Sequence, residues 1–188
     1  MGSSGPVPPL APDELVSVSG ERQVLEAFLD LYRNVMMGKL AGLSDQQIRQ
    51  RHVPSQTTLG GLVKHLAAVE REWFQVVLAR RPAAALGAPP PDDGWTLSGD
   101  DTAERLLAGY ERACAASRQA ASGFSLEDRV PHPRLGQVSL RWIYVHMIEE
   151  SARHAGHART SSASRQTARL DPAADSGPHP HGCFQLAG

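Results

Sequence analysis

Four separate stretches of this chain carry apolar residues at three- and four-residue steps, and no run alternates residue by residue. That period lays an apolar stripe along one face of a helix, whereas alternation marks a strand, so the pattern predicts an all-α fold. Val24, Leu25, Phe28, Leu31, Tyr32, Val35 and Met36 predict a first helix from Glu21 to about Leu40, with Ser19 as N-cap and Gly42 as stop. Leu59, Leu62, Val63, Leu66, Val69, Trp73, Val76 and Val77 predict a second, from Thr57 or Thr58 to a point before Pro82. Leu106, Leu107, Tyr110 and Ala113 predict a third from about Asp101 to Ala121, its start favoured by Asp100, Asp101 and Glu104 through the helix dipole. Leu140, Ile143, Tyr144, Met147 and Ile148 predict a fourth, starting near Ser139 and fading near Ala158 to Ser162.

Four amphipathic helices predict an antiparallel up-down four-helix bundle over residues 21–160. The Gly-, Ser- and Pro-rich residues 1–20 read as a loosely held lead-in, and residues 161–188, with Pro172, Pro178 and Pro180, as a disordered tail. Pro54 argues against helix in the connector from Ser44 to Gln56, and residues 82–99 read as a long loop. A further loop holds Pro131, Pro133 and Gly136.

The 188 residues suit one domain with tails. A net charge of −1 with mixed signs supplies no footprint for nucleic acid or an anionic membrane. No apolar run approaches a membrane span, and no basic stretch followed by an apolar run opens the chain. Cys114 and Cys183 are too few for a disulfide framework, so a cytoplasmic setting is expected, with Cys114 as a packing residue. Monomer and homodimer are both compatible with the pattern.

The histidines constrain chemistry. With His146 set at zero on the fourth helix, Glu150 falls near 40°, His154 near 80° and His157 near 20°, at about 100° per residue. All four share one stripe, beside Ile143 and Met147, and face the core. Glu150 and His154, or His146 and Glu150, stand at i and i+4 and can share one metal ion. His65 lies on the inward stripe of Leu62, Val69 and Val76, and a buried imidazole is costly unless both nitrogens are satisfied. A metal on one nitrogen and a hydrogen bond on the other would satisfy them. The alternative is a satisfied core histidine, with Glu150 paired to Arg153 or Arg141.

Thr57–Leu66, then Ser139–Glu150, then Ala152-Arg153-His154-Ala155-Gly156-His157 together resemble the DinB-like superfamily, nearest its mini-circle protein branch. Asp92-Asp93-Gly94-Trp95 is similar to the same branch. The resemblance covers about residues 21–158. It implies a bundle holding one divalent metal on His65, Glu150 and His154, with His146 and His157 beside the site as supporting or substrate-facing residues. It further implies a low-molecular-weight thiol, such as mycothiol or bacillithiol, attacking a small electrophile. Mixed nitrogen and oxygen ligands suit Zn²⁺, and also accept Ni²⁺, Mn²⁺ or Fe²⁺. The expected function is therefore a metal-dependent thiol S-transferase; the alternatives are a non-catalytic, metal-stabilised binding or stress-response bundle, and a bundle with no metal.

The chain departs from its relatives after Ala158, where they continue with a leucine-bearing helical end and this chain reads Arg159-Thr160-Ser161-Ser162-Ala163-Ser164. A reading-frame slip would account for the change. Written in one choice of GC-rich codons and read two bases later, Thr160–Thr167 becomes Leu-Leu-Arg-Glu-Pro-Ala-Asp. The implied ligands all precede that point.

Overall fold

The computed structural model describes residues 9–51, 58–86 and 95–170, with side chains up to Gly156. Among these residues the chain is mostly helical: α1 (Glu21–Leu40), α2 (Asp45–Ile48), α3 (Leu59–Glu70), α4 (Ala103–Ala121) and α5 (Leu140–Leu170), with one hairpin, β1 (Arg129–His132) and β2 (Gly136–Ser139), between α4 and α5. No helix of the described residues is long and apolar enough to cross a membrane.

Local chemistry sets the boundaries. Gly20, not Ser19, is the N-cap of α1, and its N–H donates to Gln23 Oε1 at 3.3 Å. Ser19 N–H closes the preceding turn on the Val16 carbonyl instead. Gly42, at φ 75°, turns the chain away from α1 in the left-handed region that suits a residue without Cβ. The connector is not wholly irregular, because α2 forms one turn there. Ser44 Oγ accepts from Gln47 N–H and Gln47 Oε1 accepts from Ser44 N–H, a reciprocal cap that seats Ile48 in the core. Pro54, which argued against helix, lies outside the described residues.

Thr58 Oγ1 caps α3 by accepting from Gly61 N–H at 3.0 Å. After Glu70 the helix widens into a π-helix, Arg71–Leu78, closed by the Ala79 N–H on the Phe74 carbonyl. A wider turn shifts the register of the stripe. Phe74 and Leu78 become buried, while Trp73 and Val76, expected on the apolar face, are only half-buried. Thr102 Oγ1 caps α4 by accepting from Arg105 N–H.

The hairpin is a feature the periodicity did not show. Val130 pairs with Val138, both buried, and Gly136 turns the chain at φ 74°. Each four-residue strand carries one buried position, too short a run for alternation to register. Ser139 Oγ then accepts from Trp142 N–H at the start of α5. The α5 backbone runs to Leu170, past the Ala158–Ser162 region where its apolar periodicity fades. No proline or glycine interrupts 158–170, and Ala, Arg, Gln and Leu there have good helix propensity. Residues 171–188, with His179, His181 and Cys183, lie outside the described residues, as do residues 1–8 of the lead-in.

The long helices pack as a bundle around two apolar clusters. One contains Leu29, Phe74, Leu78, Ile143, Met147 and the hairpin valines. The other contains Met36, Ile48, Leu62, Leu66, Tyr110 and Cys114. Between them lies a polar layer, where buried Arg33 of α1 donates to both carboxylate oxygens of buried Glu70 at 2.7 and 2.6 Å. Ser117 of α4 donates to the Glu70 carbonyl at 3.3 Å.

The order in which each helix meets these clusters reveals its direction. α1 and α5 run from the first cluster to the second, while α3 and α4 run from the second to the first. Arg141 near the start of α5 accordingly pairs with Glu21 at the start of α1, and Lys64 early in α3 pairs with Asp101 just before α4. This departs from strict up-down alternation. The connection from Ala79 to Thr102 is long enough to return the chain to the end where α3 began, so α3 and α4 can lie parallel.

Candidate metal centre

Because α3 and α5 run in opposite senses, the second turn of α3 meets the middle of α5. His65 projects from α3; Glu150 and His154 project from α5 one turn apart. Both histidines are buried and Glu150 is half-buried. His65 Nε2 lies 3.4 Å from Glu150 Oε1, and His154 Nε2 lies 2.9 Å from the same oxygen. One ligand atom from each residue falls within 4.8 Å of the others. Ligands bound about 2.0–2.1 Å from a tetrahedral ion stand about 3.3 Å apart, so the His65–Glu150 separation already suits a shared ion, while the His154–Glu150 one is closer, at hydrogen-bond distance. Two imidazole nitrogens and one carboxylate oxygen are also a donor set that divalent transition metals accept.

Electrostatics favour the ligating form of the acid. Hydrogen bonds from His154, first, and from His65 outweigh burial and hold the Glu150 carboxyl well below the usual carboxylate range. The partners that could have neutralised it are engaged elsewhere. Arg153 pairs with Glu149, and Arg141 with Glu21 and Glu127.

The structure separates the other histidines from this trio. His146 stands one turn before Glu150, with its edge against Trp73 (centroids 4.6 Å) and its face on Trp142 (5.0 Å, 10° between planes). Burial pulls its pKa below the usual imidazole value, against the opposing pull of Glu150 and Glu149. His132 of the hairpin stacks on Trp73 at 5.2 Å and joins this aromatic group. His157 lies on α5, but its side chain is outside the described residues. Cys114 is buried, and burial, aided by Glu70, pushes its thiol up to about 12, as suits a packing residue rather than a nucleophile.

One neighbour escaped the periodicity argument. The Trp95 indole stacks on His65 with centroids 4.0 Å apart and planes 17° apart, and meets His154 edge-on at 5.5 Å. Trp95 sits in a long loop, where no helical phase can assign a direction; only the resemblance of its segment to relatives marked it. Asp92, Asp93 and Gly94, which precede it, are outside the described residues.

No curated protein matches the chain at a significant level. The sequence model of a family described as mycothiol-S-transferase matches residues 24–161, which span α1 to the middle of α5, include all three clustered residues and stop where the polar tail begins. The chain belongs to the mycothiol-S-transferase family of DinB-like proteins.

Proposed function

We propose that this protein is a metal-dependent thiol S-transferase of the cytoplasm, with His65, Glu150 and His154 as metal ligands and mycothiol as the thiol substrate. The observation that carries the reading is the convergence of two imidazole Nε2 atoms on one ionised carboxylate oxygen. A divalent ion, for which Zn²⁺ is the leading choice and Ni²⁺, Mn²⁺ or Fe²⁺ fit the same donors, would lower the pKa of a thiol at its open position and so supply the nucleophilic thiolate.

The chain's own residues do the rest. Glu150 brings one negative charge, which partly balances a divalent cation and leaves net positive charge to favour an anionic sulfur. The buried flanks of His65 and His154 limit water around the donors and strengthen that attraction. We assign the second substrate, an electrophile, to the side of His146, where Trp73 and Trp142 present aromatic surface one turn from Glu150. In the transfer itself the sulfur forms a bond to the electrophilic carbon, the leaving group departs with its electron pair, and the thiol proton passes to solvent or buffer.

Metal analysis followed by a thiol-consumption assay tests the reading. We expect one divalent ion per chain, and consumption of mycothiol with an alkyl halide faster than free metal supports. Absence of a stoichiometric ion after growth in metal-replete medium would overturn it. A bound ion without turnover would favour a non-catalytic bundle that keeps the metal for stability.

A further inference from the structure

We propose that Trp95 is a positioning residue, which clamps the His65 ring from outside the bundle and shapes metal affinity and environment. This rests on the metal reading above and adds to it a part played by a loop.

The placement of the indole is built, not incidental. A Cβ on Gly61 would lie 2.3 Å from the Trp95 carbonyl oxygen, so the loop backbone rests directly on α3 where a side chain is missing. Four residues from His65 on the same helix, Gly61 thus fixes the height at which Trp95 crosses. Lys64, the immediate neighbour of His65, donates to the Thr96 carbonyl at 2.9 Å and to Asp101 Oδ2 at 2.8 Å. Asp101 in turn accepts from Ser98 N–H at 2.7 Å. The loop from Trp95 to Asp101 is therefore pinned to the helix that carries His65 at both its ends. At Gly60 a Cβ would meet Leu97 Cδ1 at 2.8 Å, so the paired glycines admit the loop along two consecutive positions.

The consequence falls on the imidazole. A ring stacked at 4.0 Å cannot tilt without breaking the stack, so the plane of His65 is held by the indole, while the contact of its Nε2 with Glu150 sets which edge faces the site. The same indole touches the edge of His154 and so contacts both histidines of the trio. Pre-orientation lowers the entropy that a metal must pay to gather its ligands.

The test compares wild type with Trp95→Ala, Trp95→Phe and Gly61→Ala, using Ni²⁺ as the probe in calorimetric titration. Thermal unfolding without metal checks that each variant folds. We expect Trp95→Ala to bind Ni²⁺ about two- to tenfold more weakly, from the worth of one aromatic stack. Trp95→Phe, which keeps an aromatic ring on His65, should recover most of that affinity. Gly61→Ala, if folded, should weaken binding like Trp95→Ala. Unchanged affinity in Trp95→Ala, or affinity in Trp95→Phe no better than in Trp95→Ala, would overturn the role of Trp95 while leaving the metal site standing. Wild type that binds no Ni²⁺, Zn²⁺ or Mn²⁺ would overturn both. One readout needs no metal: the His65 ring protons, shifted by the indole ring current in wild type, should move towards ordinary values in Trp95→Ala.

Discussion

Removing the Glu70 carboxylate should cost this protein much of its stability. Arg33 and Glu70 are 2% and 1% exposed and joined by two parallel hydrogen bonds. Glu70→Ala leaves a buried guanidinium with the Asp30 hydrogen bond at 2.8 Å and the Phe74 ring 5.7 Å away. Breaking one side of a buried ion pair costs about 3–5 kcal/mol. The lower end applies here, because Asp30 remains and a cavity of about 240 Å³ lined by Arg33, Phe74, Arg118 and Tyr144 can bring water to the stranded charge. We therefore expect a loss near 3 kcal/mol, or roughly 6–12 °C in Tm for a chain of this size. Urea unfolding at pH 7 with an unchanged m value is the assay. Replacing both partners, Arg33→Met with Glu70→Leu, removes both desolvation penalties and should return stability to within about 1–2 kcal/mol of wild type. If Glu70→Ala costs less than about 1 kcal/mol, or if the double variant is worse than the single one, the polar layer is not a desolvated ion pair and the reasoning fails.

Other outcomes follow from the same structure. His65→Ala should abolish stoichiometric metal and remove the rise in Tm that added metal gives wild type; retained metal would point to a ligand set that includes His146. Asp30 is raised by burial, but hydrogen bonds from Arg118 and then Arg33 outweigh this and hold its carboxyl below the usual range. Its folded pKa thus lies below its unfolded one, so its contribution is present above the ordinary carboxylate range and is lost as pH falls through the folded value. The stability gap between wild type and Asp30→Asn should accordingly be widest near neutrality and shrink as pH falls below the ordinary carboxylate range, and a gap constant with pH would refute the assignment. In a Cys183→Ser background, Cys114 should resist a thiol reagent in native buffer and react fully in urea, because burial pushes its thiol up to about 12. Rapid native labelling would show that this part of the core opens readily.

The stripe that holds the candidate centre was legible because helical phase is arithmetic, but phase admitted His146 with Glu150 as readily as Glu150 with His154, and only the resemblance singled out the trio with His65. Glu150 and His154 at i and i+4 must project together, and the inward stripe through Leu62 and Val69 sends His65 to the same interior. The hydrogen-bond signature Ser44–Gln47 was equally present in the sequence, but one turn is too short to show a period, so α2 emerged only from the fold. The hairpin hid for the related reason that Val130 and Val138 recognise each other across the turn rather than along the chain.

Local residue pattern by itself determined the long helices, most of their buried faces and the shared face of Glu150 and His154 on α5, since each depends on interactions within about one turn. Tertiary structure alone decided that α3 and α4 run parallel, that the π-helix turns Phe74 inward in place of Trp73, and that Trp95 reaches His65 from a distant loop. Periodicity carries no information about contacts between segments far apart in sequence. Those depend on which surfaces fit, and here the fit is set by a missing Cβ at Gly61 and an ion pair from Lys64 to Asp101.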